Sequence, residues 1–430
     1  MKAIHKAQLS GKKRGQILIL FMLALVVLIL FLGLAIDLGF VYLTKSSLSK
    51  AVDSATLAGA LNIGKGQDVA TGIATNMFYE NYRSSGRDVS PPVPIVSFTN
   101  DMTTGTTYIN VSATAQINTF FIRILPQWKT LTVGSTAQGT RARAIITLVL
   151  DRSGSMTDYG GAAKMPEAVT NFLSYFDDTR DEVAMVTFST TVSVDVPMPT
   201  TFPPQPFKSA IRSEVISMFA VRGDATFSSG GLATGLVQEA IAPVVSGENA
   251  LKVVVFFTDG YANTIQDTLS CPVATSYIFG GNAPSEPSTA LDFWDSSGAQ
   301  CGNGCSVGPD TAVTPSACGC PCSATGFLSV KDGPGTLFTR RNITADAEYR
   351  AVQTAKAMRD NHIIVYSIGL GNDPAKINQP FLHQIANDDP SVLGYAQTPY
   401  DGKALFAPDP SQIGAVFDTV AREIALRLTR

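Results

Sequence analysis

Ala144-Ile145-Ile146-Thr147-Leu148-Val149-Leu150 runs directly into Asp151-Arg152-Ser153-Gly154-Ser155-Met156. A short, nearly unbroken apolar run of this kind reads as a strand buried on both faces. The polar, glycine-bearing stretch that follows reads as the loop at its end. Three more such runs lie downstream, at residues 182–189, 251–258 and 363–369. Helical spacing of apolar residues fills the intervals, at residues 162–176, 207–219, 230–245, 345–360, 377–387 and 411–428. Strands alternating with helices predict an α/β fold: a doubly wound, mostly parallel sheet with helices on both faces. In such sheets ligands bind at the carboxyl ends of the strands. Asp151 and Asp259 each stand just after a strand, in two different loops, so they are expected to meet.

The side chains at these loops decide what chemistry to expect. Asp151, Ser153 and Ser155 form an Asp-x-Ser-x-Ser pattern. Thr226 lies in the loop Gly223-Asp224-Ala225-Thr226-Phe227-Ser228, and Asp259 lies in Thr258-Asp259-Gly260. All five offer hard oxygen donors, which suit Mg²⁺ first and Mn²⁺ or Ca²⁺ as alternatives, rather than zinc. A metal held largely by neutral hydroxyls stays electrophilic and seeks another anion. A partner's Asp or Glu would supply one. The set, in this order after strand-like runs, resembles the metal-ion-dependent adhesion site (MIDAS) of von Willebrand factor A (vWA) domains. The resemblance covers residues 144–430 in outline. It implies a Rossmann-like fold and a metal-binding role for Asp151, Ser153, Ser155, Thr226 and Asp259. Phe227 departs from the small or polar residue common there, which implies altered chemistry at the rim.

The other end of the chain is of a different kind. Residues 17–35, ILILFMLALVVLILFLGLA, are unbroken apolar. Nineteen helical residues span roughly 28 Å, about the hydrocarbon thickness of a bilayer. A secretory signal has a shorter apolar core and a small-residue cleavage site. Lys2, Lys6, Lys12, Lys13 and Arg14 precede the run with no acid among them. By the positive-inside rule that flank stays cytoplasmic, and residues from 38 onward lie outside. Asp37 is expected to mark the water boundary. Beyond it Leu48, Ala51, Val52, Ala55 and Ala58 recur at helical spacing. Small residues on one face permit close packing, either within the chain or against assembly partners.

Lys13-Arg14-Gly15-Gln16, the apolar run, Leu34-Ala35-Ile36-Asp37 and Ala51-Val52-Asp53-Ser54-Ala55-Thr56-Leu57-Ala58-Gly59-Ala60 together resemble the N-terminal region of Tad/Flp pilus-assembly proteins of the TadE/TadG-like group. The resemblance covers about the first 60 residues. It implies a bacterial inner-membrane protein working with other pilus-assembly proteins. No Glu follows Gly15 closely, which points to an uncleaved anchor rather than a processed pseudopilin.

The segments expected are therefore a basic cytoplasmic stretch (1–16), a transmembrane helix (17–35), its pilin-like extension (36–63), a small α+β module (64–143) and a vWA domain (144–430). Within the last, residues 261–343 break the α/β rhythm and hold all six cysteines: Cys271, Cys301, Cys305, Cys318, Cys320 and Cys322. An even count on an oxidising side predicts disulfides. A zinc site is the lesser alternative, because the spacings lack paired Cys-x₂-Cys. The insertion starts beside Asp259, so it is expected to shape partner choice.

The balance of charge narrows the function. The chain carries a net −3, and without the five basic residues of its start a net −8, which speaks against nucleic-acid binding. Of the three histidines, His5, His362 and His383, none stands in recognisable order with a motif serine, and no phosphate-loop pattern occurs. An enzyme is not expected. The expectation is a membrane-anchored adhesion module that helps assemble or tether Tad/Flp-type pili. A minor pilin-like component displaying the vWA domain at the surface or a fibre tip is the alternative.

Overall fold

The computed structural model describes residues 13–101, 106–220, 223, 225–243, 250–270, 274–281, 290–295, 299–300, 305–306, 327–328, 336–337, 339–374 and 376–429. The chain divides into two compact units.

The first unit is built on one continuous helix, α1 (Lys13–Leu61). Its N-terminal half is long and apolar enough to cross a membrane. Its other half carries a stripe of buried residues, Thr44, Leu48, Ala51, Val52, Ala55 and Thr56, at the spacing of one helix face. Ala58 lies only at the edge of that stripe. The small residues are thus covered by this chain itself, which is the within-chain reading of the pattern. Helix α2 (Gln67–Asn81) buries Ala70, Ala74 and Phe78. Strands β1 (Ile95–Asn100), β2 (Thr107–Asn118) and β3 (Thr130–Arg141) form a three-stranded sheet in that order. Strand β2 alternates buried and open positions along its whole length, with Ile109, Val111, Ala113, Ala115 and Ile117 turned inward.

The second unit is the α/β domain. Its strands are β4 (Ala144–Asp151), β5 (Glu182–Phe188), β6 (Val192–Val196) and β7 (Leu251–Thr258). Next come the strands of the insertion: β8 (Thr264–Ser270), β9 (Ala274–Gly281), β10 (Ala290–Asp295), β11 (Cys305–Ser306), β12 (Phe327–Leu328) and β13 (Thr336–Leu337). Strands β14 (Ile363–Leu370) and β15 (Lys403–Ala407) close the list in chain order. The main sheet runs β15-β14-β7-β4-β5-β6, and only the β5–β6 edge pair is antiparallel. Central strands β4, β5 and β14 are buried at every position, as continuous apolar runs require. Helices α3 (Gly154–Asp158), α4 (Met165–Leu173), α5 (Lys208–Ser217), α6 (Ser228–Ile241), α7 (Arg340–Asp360), α8 (Gln379–Ala386) and α9 (Ile413–Leu428) complete the unit. On one face Ile146, Leu148 and Leu150 pack with Phe172, Ile211 and Phe417, from α4, α5 and α9. On the other Val149, Val254 and Val365 pack with Leu232, Ala351 and Leu382, from α6, α7 and α8.

The insertion, which breaks the α/β rhythm in sequence, still carries regular structure. Its described residues include a four-stranded antiparallel sheet, β11-β10-β9-β8. Ile278 and Trp294 of that sheet bury themselves with Ala225. Glycine, serine and proline spread through residues 261–343 mask the strand pattern in the sequence. Cys271, Cys301, Cys318, Cys320 and Cys322, and the side chain of Cys305, lie outside the described residues, so the disulfide expectation stays with the sequence.

Candidate functional site

Parallel register brings the site together. In the sheet Leu150 of β4 sits beside Phe257 of β7, and Asp151 beside Phe188 of β5. Asp151 is therefore the last residue of the central strand, and Asp259 follows the neighbouring strand by one residue. Both carboxylates are buried, at 0% and 4% exposure.

The two are linked through hydroxyls. The Ser155 hydroxyl donates to Asp259 Oδ1 (2.7 Å), and the Ser153 and Ser155 oxygens lie 3.0 Å apart. The Ser153 N–H donates to Asp151 Oδ1 (2.7 Å), while the Thr258 hydroxyl donates to Asp151 Oδ2 (2.7 Å). Asp259 Oδ2 is buried and has no hydrogen-bond partner among the described residues. An unpartnered buried carboxylate oxygen is costly unless something positive meets it. Burial pushes Asp151 up to about 6, held back by the hydrogen bonds from Thr258 and Ser153. Burial, and then the neighbouring Asp151 carboxylate, push Asp259 up to about 8.

The third loop is fastened to the first. The Gly154 N–H donates to the Gly223 carbonyl (2.8 Å), and Ser153 and Gly223 form a parallel bridge. A Cβ at Gly223 would overlap the Ser189 side chain, so only glycine permits this approach. Three residues on, Thr226 is clasped by Asn263: its N–H donates to Asn263 Oδ1 (2.8 Å), and its carbonyl accepts from the Asn263 N–H (3.2 Å). The Thr226 hydroxyl points toward the Asp259 loop, 4.0 Å from where a Cβ on Gly260 would stand. Phe227 is buried and donates its N–H to the Ser189 carbonyl (2.8 Å). It is turned inward, and with Arg350 and Gln266 it lines a separate cavity of about 500 Å³.

Asp151, Ser153, Ser155 and Asp259 are thus in one hydrogen-bonded group, and the loop bearing Thr226 is tied to it. Motif reading missed Thr258 as a ligand to Asp151, and it missed Ser189, Gly223 and Asn263 as the residues that fix the loops. The strand-end rule offers a signal for Ser189, which closes the β5 run. Asn263 and Gly223 have no signal beyond composition. Beside Asp259 opens a cleft of about 210 Å³, lined by Tyr159, Leu370, Gly371, Lys376 and Pro408 among others. Lys376 Nζ stands 4.2 Å over the Tyr159 ring, and the Tyr261 hydroxyl donates to the Pro374 carbonyl (2.7 Å).

The donor set suits a hard divalent cation: two carboxylates and three hydroxyls, from the loops after β4 and β7 and from the loop between α5 and α6. Among the described residues, no cluster of three or more His, Cys, Asp and Glu side chains offers a different metal site.

Comparison with known proteins places these observations. Residues 15–62 match the family model of putative Flp pilus-assembly TadE/G-like proteins, and residues 146–275 match the von Willebrand factor type A domain. The chain therefore joins a Tad-like segment to a vWA domain. Nothing among curated proteins matches the sequence. Among solved structures, the PilB minor pilin from Streptococcus sanguinis aligns at 14% identity and a TM-score of 0.38, covering 78% of this chain and 79% of that one. The vWF domain of the type V pili tip protein Mfa5 from Porphyromonas gingivalis aligns at 12% identity and a TM-score of 0.40, covering 67% and 97%. Proximal thread matrix protein 1 from the mussel byssus aligns at 12% identity and a TM-score of 0.35, and the chain spans 46% of its length.

Proposed function

We propose that this chain is a membrane-anchored binding module of a Tad/Flp-type pilus system, whose vWA domain grips an acidic residue of a partner protein through a divalent metal. The metal would be held by Asp151, Ser153, Ser155, Thr226 and Asp259. When bound, it supplies a positive charge with room for one more anionic oxygen. The chain's own part is to pre-arrange the donors. The Thr258 hydroxyl and the Ser153 N–H hold Asp151 in place, and Asn263 and Gly223 bring up the loop that carries Thr226. The observation that carries this reading is Asp259 Oδ2, buried and unpartnered among hydroxyl and carboxylate oxygens. The anchor reading rests on the apolar helix and on the Tad-like match over the same residues. The basic flank favours a cytoplasmic N-terminus with the domain outside, and the Tad-like match supports a bacterial inner membrane as the bilayer. A role in pilus assembly, in preference to catalysis, is supported by the Tad-like match over residues 15–62.

The test is thermal unfolding of the full chain in detergent, metal-free and with Mg²⁺, Mn²⁺ or Ca²⁺. A ligand bound only by the folded state adds RT ln(1 + [L]/Kd), about 2.7 kcal/mol at a hundredfold excess over Kd. The expected outcome is a rise in Tm that Asp151→Ala abolishes and Asn263→Ala weakens by about tenfold in metal affinity, as loss of a supporting contact does. A wild-type chain that ignores all three ions overturns the metal-site reading.

A further inference from the structure

We propose that the turn from Thr119 to Lys129 is a second membrane contact, seated in the lipid interface at the point where α1 leaves the bilayer; this rests on the reading that residues 17–35 span it. Two residues of α1, Gly33 and Asp37, lie one helical turn apart on the same face, and both are buried. What buries them is this turn. Asp37 accepts three successive backbone N–H groups, from Phe120 (2.7 Å), Phe121 (2.8 Å) and Ile122 (2.8 Å). The Phe121 ring lies on Gly33, so close that a Cβ there would stand 2.6 Å from the ring. Asp37 is therefore no water-facing boundary marker: its carboxylate is 2% exposed and ties the turn to the helix.

That tie fixes the depth of the turn. Gly33 belongs to the apolar run, and Asp37 is two residues past its end. The turn stands level with the last turn of the spanning segment. It closes on itself through the Thr119 hydroxyl, which donates to the Trp128 carbonyl (2.7 Å). Arg87 stacks on Phe40 (4.3 Å) and Phe120 (5.2 Å), bracing the turn against α1. What the turn presents outward is apolar: Phe120, Phe121, Ile124, Leu125 and Trp128 are 56, 39, 77, 44 and 45% exposed. Exposed large apolar side chains clustered in so short a stretch mark an interaction surface. Arg123 and Lys129 stand exposed beside them, suited to lipid phosphates. Aromatic residues with flanking cations at this depth are the composition of a bilayer interface. The surface is continuous with the exposed apolar face of α1 at Phe31, Leu32 and Ile36. A lipid surface is therefore the occupant it fits.

The chain has two tryptophans, Trp128 and Trp294. Trp294→Phe leaves Trp128 as sole reporter in the full chain. That chain is reconstituted in phosphatidylethanolamine–phosphatidylglycerol vesicles whose acyl chains carry bromine either near the headgroup or near the methyl end. We expect Trp128 emission to be quenched at least about twofold by the shallow bromines and less by the deep ones, as for an interfacial aromatic. A parallel chain with Trp128→Phe, Trp294→Phe and Leu28→Trp reports the spanning helix, and its quenching should favour the deep bromines. Asp37→Ala should release Trp128 from shallow quenching and leave the Leu28→Trp signal unchanged. Leu28→Trp quenched while Trp128 stays unquenched overturns the second contact and leaves the anchor intact. A blue-shifted but unquenched Trp128 does the same, and shows a protein surface covering the turn. Loss of quenching at both positions overturns the anchor and the second contact together.

Discussion

Glu239 is the residue whose placement carries the clearest cost. It lies in α6, fully buried, where its Oε1 accepts from the Thr147 hydroxyl (2.8 Å) and its Oε2 has no partner among the described residues. Lys252 donates to its backbone carbonyl (2.9 Å), and Glu182 adds a like charge nearby. Burial pushes Glu239 from its ordinary 4.5 up to about 8, with Thr147 and Lys252 pulling the other way. The folded chain then holds a proton that the unfolded chain has released. Stability is lost progressively as pH rises from about 4.5 to about 8, and the loss is complete above that window. Glu239→Gln keeps the shape and removes the titration. It should raise stability by about 1–3 kcal/mol at pH 8 and change little at pH 4, read from Tm across pH. An equal effect at both pH values would refute the assignment. The site residues follow another logic. Asp151, Ser153, Ser155 and Asp259 are legible because they stand at strand ends in a motif, and Thr226, in the loop between α5 and α6, only through the order of the set. Asn263 is not, because its role is to accept one N–H from Thr226, a contact that exists only after β7 and α6 have packed.

Elements were readable to the extent that burial wrote them into composition. Strands β4, β5, β7 and β14 are buried on both faces, and their apolar runs fall almost at their true bounds. Edge strands β6 and β15 are five residues each and half-open, so no run marks them. Helix α7 begins at Arg340, five residues before its apolar spacing becomes visible, because Thr339 caps it by accepting from the Asn342 N–H (3.1 Å). Thr339→Ala should cost about 1 kcal/mol in denaturant unfolding, the usual value of a lost N-cap. Asp181 does more. Arg141 meets it in a two-pronged pair (2.6 and 3.0 Å), and it accepts the Ala144 N–H at the start of β4 (2.9 Å), all of it buried. Asp181→Ala strands the Arg141 charge and should cost about 3–5 kcal/mol. Near-equal losses for the two variants would mean that the buried pair is solvated.

For the whole molecule, the governing asymmetry is between a short basic start and an acidic body. Lys2, Lys6, Lys12, Lys13 and Arg14 precede the apolar helix, whereas everything after them sums to a net −8. A single spanning helix takes its orientation from flanking Lys and Arg, so the body should face outward, where the disulfides expected from the six cysteines would persist. In right-side-out spheroplasts, added protease should digest the vWA domain and spare a short N-terminal fragment. In inverted vesicles the domain should be protected. Changing the five basic residues to Gln leaves Lys45 and Lys50 on the far side of the helix as the nearest cations, and part of the chain should then insert inverted and give both patterns. A domain protected in spheroplasts and digested in inverted vesicles would place the proposed metal site in the cytoplasm, away from any extracellular pilus, and would withdraw the adhesion reading while leaving the vWA fold untouched.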